Sequence, residues 1–342
     1  MLDDLKYIHQ RDGQDALGIA ERQARQLEQK FEAPKIEGEF SNIVFAGMGG
    51  SALPALLSRS WPAYEVPFEV CRQYHIPAYV SAKTLFIASS YSGNTEETLS
   101  ALAEAEQKGA VIAVMAGGGK LEEIAKQKKY PFVKIPAAEQ PRYAVFSMLV
   151  ALVSILEAAG LLNTDDAASQ LQQTSELLKT AVQDWVATVP ADNNPAKKLA
   201  LELAGKSGVV YAGPLLAPAA YKWKISFNEN AKNVAWWEEY PEFNHNEFIG
   251  WSSHPIEKPY AVIDLRSNLE HPRVQQRFEL SDRLLSGKRP AAHVVQAQGE
   301  TLLEQLLWTV VYGDFVTIYL ALINGVNPAP VELVEKFKKE LG

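Results

Sequence analysis

The chain has 342 residues and a formal net charge of −8, with 47% apolar and 22% charged residues. This length and this balance predict a globular protein of two domains or one large one. The acidic charge and the lack of a long basic run exclude a general nucleic-acid binder, which needs a basic face to displace counterions from phosphates. Cys71 is the single cysteine, so a disulfide within the chain and a zinc site built on thiolates are excluded.

The N-terminus, MLDDLK, is polar and acidic, unlike a signal peptide. The longest apolar run, residues 144–162, is interrupted by Ser147, Ser154 and Glu157, so we expect a buried helix there and not a membrane span. These features predict a cytoplasmic protein with no membrane partner.

The first half of the chain alternates predicted helices and strands. An Ala-, Gln- and Glu-rich stretch at 14–32 predicts an opening helix, and residues 96–108 predict a second helix that ends at Gly109. Four apolar runs predict strands at 43–46, 84–88, 111–115 and 132–135. This alternation indicates a parallel sheet, and the near-continuous apolar strands indicate that both of its faces are covered.

The second half repeats this order. Residues 144–188 predict helices, with a helix cap at 163–166, and polar residues 190–195 predict a boundary loop. Strands are predicted at 208–212, 260–265 and 293–297, followed by a long helix at 302–322. We therefore predict an α/β fold of two doubly wound domains that arose by duplication. The predicted bounds are 1–35 for an N-terminal helical segment, 36–150 for the first domain, 151–200 for a helical connector and 201–342 for the second domain.

Two loops follow neighbouring strands of the first predicted sheet. Gly47–Ser51 (GMGGS) holds three glycines in four positions, which lets backbone amides approach a ligand, and Ser51 is expected to open a helix. Taken alone, this loop could equally be a tight turn without a ligand. It fits a dinucleotide fingerprint only superficially, because the second strand ends in SSYS, with no acidic residue there to hold a ribose hydroxyl.

The second loop, Ser89–Thr98 (SSYSGNTEET), carries hydroxyls at Ser89, Ser90, Ser92 and Thr95 before a helix that Thr95 is expected to cap. Hydroxyls and amides at a helix N-terminus suit a phosphate monoester. The ordinary alternative is a capped helix behind a serine-rich loop. Two such loops at one sheet edge favour a ligand, because ligands of open α/β sheets bind at the carboxyl ends of the strands.

The motifs GMGGS and SYSGNTEE resemble those of the sugar isomerase (SIS) domain. Further segments are similar to the bifunctional phosphoglucose/phosphomannose isomerases: Asn228–Lys232 (NENAK), Pro241–Glu247 (PEFNHNE) and Gly325–Val331 (GVNPAPV). The resemblance covers roughly residues 36–342. It implies two SIS-type domains and an aldose–ketose isomerase that acts on a hexose phosphate through a cis-enediol, without a metal or a redox cofactor. The pattern departs at Ala52-Leu53-Pro54, where a further run of small residues is expected.

The resemblance also implies roles for individual residues. Glu229 matches the carboxylate base, and His245 the ring-opening histidine supplied by the neighbouring subunit of a homodimer. Arg142 matches a cation that stabilises the enediolate or orients substrate hydroxyls. Lys338 matches a C-terminal lysine that assists ring opening. The implied phosphate-binding residues are Gly50, Ser51, Ser90, Ser92 and Thr95. Aromatic neighbours of Glu229 in the sequence are expected to raise the pKa of its carboxyl.

Each of these residues also has an ordinary interpretation. Glu229 fits the surface of a helix, His245 a hydrogen-bonded loop, Arg142 a surface ion pair and Lys338 a solvated helix face. Glu238, Glu239, Glu242 and Glu247 compete with Glu229 as the base. Two other functions stay open: an isomerase of an aminosugar phosphate, and a non-catalytic sugar-phosphate sensor, although the chain lacks the basic helical extension of a transcription regulator.

Overall fold

The structure is a computed structural model that describes residues 1–62, 64–138, 140–162, 166–253 and 259–341. The chain divides into two compact units. We call Gln23–Ser175 the middle unit, and Met1–Arg22 together with Glu176–Gly342 the terminal unit. The domain bounds expected from the sequence stay a prediction, because contacts within one folded chain do not show which segment folds alone. Most of the predicted cap at 163–166 lies outside the described residues.

The middle unit contains a five-stranded sheet with the order β2-β1-β3-β4-β5, and its recorded pairings are parallel. Its strands are β1 (Asn42–Ala46), β2 (Phe68–Cys71), β3 (Thr84–Ser90), β4 (Val111–Ala116) and β5 (Phe132–Lys134). The terminal unit contains a four-stranded parallel sheet with the order β7-β6-β8-β9. Its strands are β6 (Ser207–Ala212), β7 (Ala235–Glu239), β8 (Tyr260–Arg266) and β9 (His293–Gln296). The strand order of the terminal sheet, β7-β6-β8-β9, is the same as the order β2-β1-β3-β4 in the middle sheet. This match confirms the α/β fold class and supports a duplication.

The α-helices of the described residues follow in chain order. They are α1 (Leu5–Arg11), α2 (Ala16–Arg22), α3 (Leu53–Ser58), α4 (Glu96–Gln107), α5 (Gly119–Lys128), α6 (Val145–Ala158), α7 (Ala167–Ala181), α8 (Pro195–Leu203), α9 (Ala217–Glu229), α10 (Glu247–Gly250), α11 (Pro272–Leu284), α12 (Leu302–Ile323) and α13 (Glu332–Leu341). The opening helix is shorter than expected from residues 14–32, because after α2 the chain tightens into a 3₁₀ helix that ends at Glu28.

The sheet of the middle unit is buried on both faces. Alternate residues of β1, such as Ile43 and Phe45, pack with α6, whereas Val44 and Ala46 pack with α4 and α5. Successive side chains of a strand point to opposite faces, so apolar layers on both sides require an unbroken apolar strand. This arrangement explains the continuous apolar runs of β1, β3 and β4.

The long helix α12 is almost wholly enclosed in the terminal unit. It confirms the long helix predicted at 302–322. By length and composition it is apolar enough to cross a membrane, so the expectation that residues 144–162 hold the longest apolar run was wrong. In the structure, 94% of its most apolar window is buried inside the protein. Its apolar side chains are therefore accounted for by the core. Thr301 and Glu304 form a capping box at its N-terminus.

Candidate functional site

The first glycine loop follows β1 and differs from the expected strand-to-helix turn. Gly49–Ala52 forms a 3₁₀ turn, and α3 begins at Leu53 with Pro54 in its first turn. The expectation that Ser51 opens an α-helix was therefore wrong, because Ser51 lies within the 3₁₀ turn and the α-helix begins two residues later. Pro54 suits the first turn of α3, since its fixed φ is already helical. Gly49 has a φ of +50°, in the left-handed region that glycine adopts without strain.

The serine loop and the glycine loop meet at Ser51. The register pairs Ala46 of β1 with Ala88 of β3, so the two loops leave the sheet side by side. The Ser51 hydroxyl accepts a hydrogen bond from the Tyr91 amide at 2.9 Å, and the Ser89 hydroxyl donates to the Ser51 carbonyl at 3.3 Å. The predicted neighbourhood of these two loops is confirmed.

Ser90 organises the hydroxyls of the serine loop. Its hydroxyl lies 2.8 Å from the Thr95 hydroxyl and 3.4 Å from the Ser92 hydroxyl, and it accepts from the Gly93 amide at 3.1 Å. Thr95 stands at the start of α4, but its side chain makes no capping bond to that helix. The predicted cap was wrong in this respect, because the hydroxyl pairs with Ser90 instead. The first-turn amides of α4 are not capped by Thr95, which suits an anion at this position.

Tyr91 connects the serine loop to two other segments, and the sequence alone did not identify it. Its amide binds Ser51, its carbonyl accepts from Gly117 at 3.0 Å, and its hydroxyl donates to the Ala138 carbonyl at 2.9 Å. The Ala138 amide also donates to the Tyr91 hydroxyl. A tyrosine between serines gave no sign of this role, because Ala138 lies 47 residues away.

A third glycine loop, Gly117–Gly119, packs against the serine loop. A Cβ placed on Gly93 would lie 1.7 Å from the Gly118 carbonyl oxygen, and one on Gly117 would lie 2.5 Å from the Tyr91 carbonyl oxygen. The two backbones therefore touch at distances that only glycine permits. Three consecutive glycines one residue after the predicted strand 111–115 are a local signal for this loop, which was not among the predicted site segments.

Arg142 lies beside the first glycine loop and is only 1% exposed. A Cβ on Gly50 would lie 3.0 Å from the Arg142 amide nitrogen, so the backbone of residue 142 abuts Gly50. The guanidinium lies 4.5 Å from the centre of the Tyr143 ring. The interpretation of Arg142 as a surface ion pair was wrong, because its side chain is buried next to the two loops and not exposed to solvent. The structure thus gathers Gly50, Ser51, Ser90, Ser92, Thr95 and Arg142 in the middle unit.

Glu229 is the last residue of α9 in the terminal unit, and it is half-buried. The residues after it contact the segment after α12: Asn324 donates to the Ala231 carbonyl at 3.1 Å, and Lys232 donates to the Pro328 carbonyl at 3.1 Å. The segments 228–232 and 325–331, which are almost 100 residues apart in the sequence, are therefore neighbours beside Glu229.

The aromatic residues near Glu229 in the sequence have other contacts. Trp223 and Phe227 are fully buried and lie near each other, with ring centres 6.3 Å apart. Trp236 is half exposed and contacts the Tyr260 ring. These rings therefore pack against other aromatic rings.

His245 is exposed at the end of a 3₁₀ turn, Glu242–His245, between two anchored residues. The Asn244 side chain donates to the Ser281 hydroxyl at 3.0 Å and accepts from Arg277 at 3.1 Å. Glu247 accepts a hydrogen bond from the buried Tyr211 hydroxyl. Burial raises the pKa of the Glu247 carboxyl, and the bond from Tyr211 opposes that rise. The turn therefore presents the imidazole to the outside while its neighbours are held by the core.

Lys338 lies on α13, where no residue is buried, and its own side chain is exposed. Glu229, His245 and Lys338 thus stand on three separate elements of the terminal unit. The competing carboxylates Glu238 and Glu239 lie on β7, an edge strand that was not predicted because these two glutamates interrupt its apolar pattern.

The loop after β6 corresponds to the first glycine loop, yet the protein's own carboxylate fills it. Glu270 accepts a hydrogen bond from the Leu215 amide at 2.7 Å and is 5% exposed. A Cβ on Gly213 would lie 2.4 Å from a Glu270 carboxylate oxygen. Burial raises the pKa of the Glu270 carboxyl, and the bonds from the Leu215 and Leu216 amides oppose that rise. The duplicated halves therefore differ at this position: hydroxyls line it in the middle unit, and a carboxylate occupies it in the terminal unit.

Comparisons with known proteins extend over almost the whole chain. A family model described as the bacterial phospho-glucose isomerase C-terminal SIS domain matches residues 192–341. The bifunctional phosphoglucose/phosphomannose isomerase of Caldicellulosiruptor bescii is 33% identical over 307 residues, which cover 89% of this chain and 90% of that protein. The D-glucosamine-6-phosphate 4-epimerase of Sulfolobus acidocaldarius is 33% identical over 231 residues, covering 65% of this chain and 70% of that protein.

A solved structure has the same fold. The glucose-6-phosphate isomerase like protein of Thermus thermophilus matches with a TM-score of 0.64 and 20% identity, over 99% of this chain and 98% of that one.

Proposed function

Because the chain belongs to the bifunctional phosphoglucose/phosphomannose isomerase family, we propose that it interconverts glucose 6-phosphate and mannose 6-phosphate with fructose 6-phosphate. The match to such an enzyme over 89% of this chain carries this proposal. The arrangement of hydroxyls and glycine loops at the edge of the first sheet supports it, since such an edge suits a phosphate monoester.

In this proposal the middle unit binds the phosphate group. Ser51, Ser90, Ser92 and Thr95 offer hydroxyls that donate to phosphate oxygens, and Gly50 offers a backbone amide in a loop against which the Arg142 backbone packs closely. The hydroxyl pair of Ser90 and Thr95 can turn its protons toward an anion at little cost, because hydroxyl rotors are free to reorient. Arg142 stabilises the negative charge of the enediolate, because its planar guanidinium is a cation that donates hydrogen bonds to oxygen atoms.

The chemistry is a proton transfer between two adjacent carbons, an intramolecular oxidation and reduction. His245, with Lys338, opens the sugar ring by moving a proton between the ring oxygen and the C1 hydroxyl. The Glu229 carboxylate then takes the proton from C2 of the aldose while the C1 oxygen gains a proton, which gives a cis-enediol. Glu229 returns its proton to C1 while the C2 hydroxyl releases its own, which forms the ketose, so that protons balance over the two steps. Positioned groups of this kind each contribute about 10²–10⁴-fold to the rate.

The assembly and location of the protein are part of the same proposal. His245 is exposed and its neighbours are anchored, so it is free to serve the site of a second copy. We therefore expect a homodimer with the active site near the subunit interface, in the cytoplasm.

A second candidate function is the conversion of an aminosugar phosphate. The relative from Sulfolobus acidocaldarius that is named for glucosamine 6-phosphate favours it, although that match covers less of the chain. Glucosamine 6-phosphate is therefore included among the substrates tested.

The test is a coupled assay of fructose 6-phosphate formed from glucose 6-phosphate and from mannose 6-phosphate, with a separate chromatographic assay of glucosamine 6-phosphate. Glu229→Gln is expected to lose several orders of magnitude in kcat while it still binds the sugar phosphate, and Glu238→Gln serves as the control. A fully active Glu229→Gln protein would refute the assignment of the base. Binding without turnover in the native protein would favour a sensor instead.

A further inference from the structure

A row of polar side chains lies between α9 and α12 in the terminal unit. Lys222, Ser226 and Asn230 stand at four-residue intervals, so they share one face of α9 and its C-terminal end. Each of the three is at most 1% exposed. We call these residues, with Asp314 and Thr317 of α12, the polar seam.

The seam is connected across the two helices. Lys222 forms an ion pair with Asp314, and Ser226 donates to the same Asp314 oxygen at 2.8 Å. Lys222 also donates to the Ser226 hydroxyl at 2.7 Å. One turn further along, the Asn230 side chain donates to the Thr317 hydroxyl at 3.0 Å. Each bond across the seam thus ties α9 to a fixed residue of α12.

A buried ion pair is an expensive way to join two helices. Removing two charges from water costs free energy that their attraction barely repays, and apolar residues of similar volume often hold helices together as well or better. Apolar packing, however, tolerates alternative arrangements, whereas hydrogen bonds at three successive turns are satisfied in one register only. The seam therefore specifies the position of α9 along α12 at a cost in stability.

That register matters because of what α9 carries. Glu229 directly precedes Asn230, so the bond from Asn230 to Thr317 fixes the backbone next to the Glu229 carboxylate. At the same face, a Cβ on Gly313 would lie 2.3 Å from the Trp223 indole nitrogen, so α12 leaves room for α9 in this one alignment.

We propose that the polar seam positions the catalytic base, and that Thr317 and the Lys222–Asp314 pair are positioning residues for Glu229. This inference rests on the proposed function for the role of Glu229. Misplacing a reacting group by about 1 Å lowers a rate about 10²-fold. Loss of the seam is therefore expected to lower kcat and to leave KM nearly unchanged, because the proposed phosphate-binding residues belong to the middle unit.

The test compares one substitution at two places on α12. Thr317→Val removes the acceptor of the Asn230 bond, whereas Thr309→Val is a matched control. Both threonines are fully buried, and each donates to a carbonyl one turn back, but the side chain of Thr309 has no part in the seam. We expect Thr317→Val to lose about tenfold to a hundredfold in kcat. Thr309→Val is expected to stay near the native value, and Thr317→Ser to restore the rate.

Hydrogen exchange gives a readout that does not depend on turnover. Amides of residues 229–233 are expected to exchange faster in Thr317→Val than in Thr309→Val, while the thermal transitions of the two proteins agree. The double variant Lys222→Met with Asp314→Leu replaces the ion pair by apolar side chains, and it is expected to stay folded with the same fast exchange and low kcat.

The two proposals fail in different ways. A native protein without isomerase activity contradicts the proposed function, and hydrogen exchange still tests the seam. If Thr317→Val and the double variant both exchange like Thr309→Val at residues 229–233, the seam does not position Glu229. If both exchange faster in an active enzyme but keep the native kcat, the positioning role is likewise refuted.

Discussion

The contact between Tyr91 and Ala138 gives a prediction whose size follows from the structure. Tyr91→Phe keeps the aromatic ring and removes only the hydroxyl, which donates to the Ala138 carbonyl and accepts from the Ala138 amide. A hydrogen bond contributes about 0.5–1.5 kcal/mol to stability, so the loss of two is expected to cost about 1–3 kcal/mol. The Ala138 amide and carbonyl then have to form hydrogen bonds with water instead.

The effect of Tyr91→Phe on binding follows from the position of the tyrosine. Its backbone lies between Ser90 and Ser92 and binds Ser51, so a looser side chain frees the hydroxyls proposed to bind phosphate. Affinity for inorganic phosphate is expected to fall, because binding then has to order the loosened serine loop. Each ~1.4 kcal/mol of free energy spent on this ordering weakens binding about tenfold. Calorimetric titration measures this change, and a thermal scan measures the stability of the same protein.

A matched control is Tyr130→Phe in the same unit. The Tyr130 hydroxyl donates to Glu106 at 2.9 Å, and this single bond connects α4 with the start of β5, away from the serine loop. Its loss is expected to cost less than that of the Tyr91 hydroxyl and to leave phosphate affinity unchanged. If the two variants are equally stable and bind phosphate equally well, Tyr91 does not connect the loops as described.

Three further changes test other parts of the structure. Gly50→Ala places a Cβ 3.0 Å from the Arg142 backbone, so a loss of about 1–3 kcal/mol and weaker phosphate binding are expected in calorimetry. Ser90→Ala removes the partner of the Thr95 hydroxyl, and titration is expected to show weaker phosphate binding; unchanged affinity would contradict its role in the cradle. Burial raises the pKa of Asp264 to about 6, so the stability that this group contributes is present below pH ~4 and is lost as the pH rises through 6. Urea unfolding across this range is expected to show a fall of about 3 kcal/mol in the native protein relative to Asp264→Asn; parallel curves would argue against it.

Much of the site was visible in the sequence because its signals are local. A strand that runs into glycines or serines and then into a helix places those residues at the carboxyl edge of a parallel sheet, whatever the rest of the chain does. The proximity of Ser51 to the serine loop followed from this rule. The same rule, applied to Gly117–Gly119, would have identified the third loop.

Other local predictions failed where a tertiary contact competed with them. Thr95 has the residue type and position of a helix cap, but the Ser90 hydroxyl takes its bond. The edge strands β2 and β7 carry Glu69, Glu238 and Glu239 in place of an unbroken apolar run, so no apolar pattern predicted them.

The sequence by itself determined the class of fold, the two loops of the first sheet edge and the family, because these depend on short patterns and on overall similarity. Only the tertiary structure decided which distant residues hold those patterns in place. Ala138 supports the serine loop, Asp314 and Thr317 fix the helix that ends at Glu229, and Glu270 fills the position that corresponds to the first glycine loop. Such contacts join residues 47 to 92 positions apart, and no periodicity along the chain encodes them.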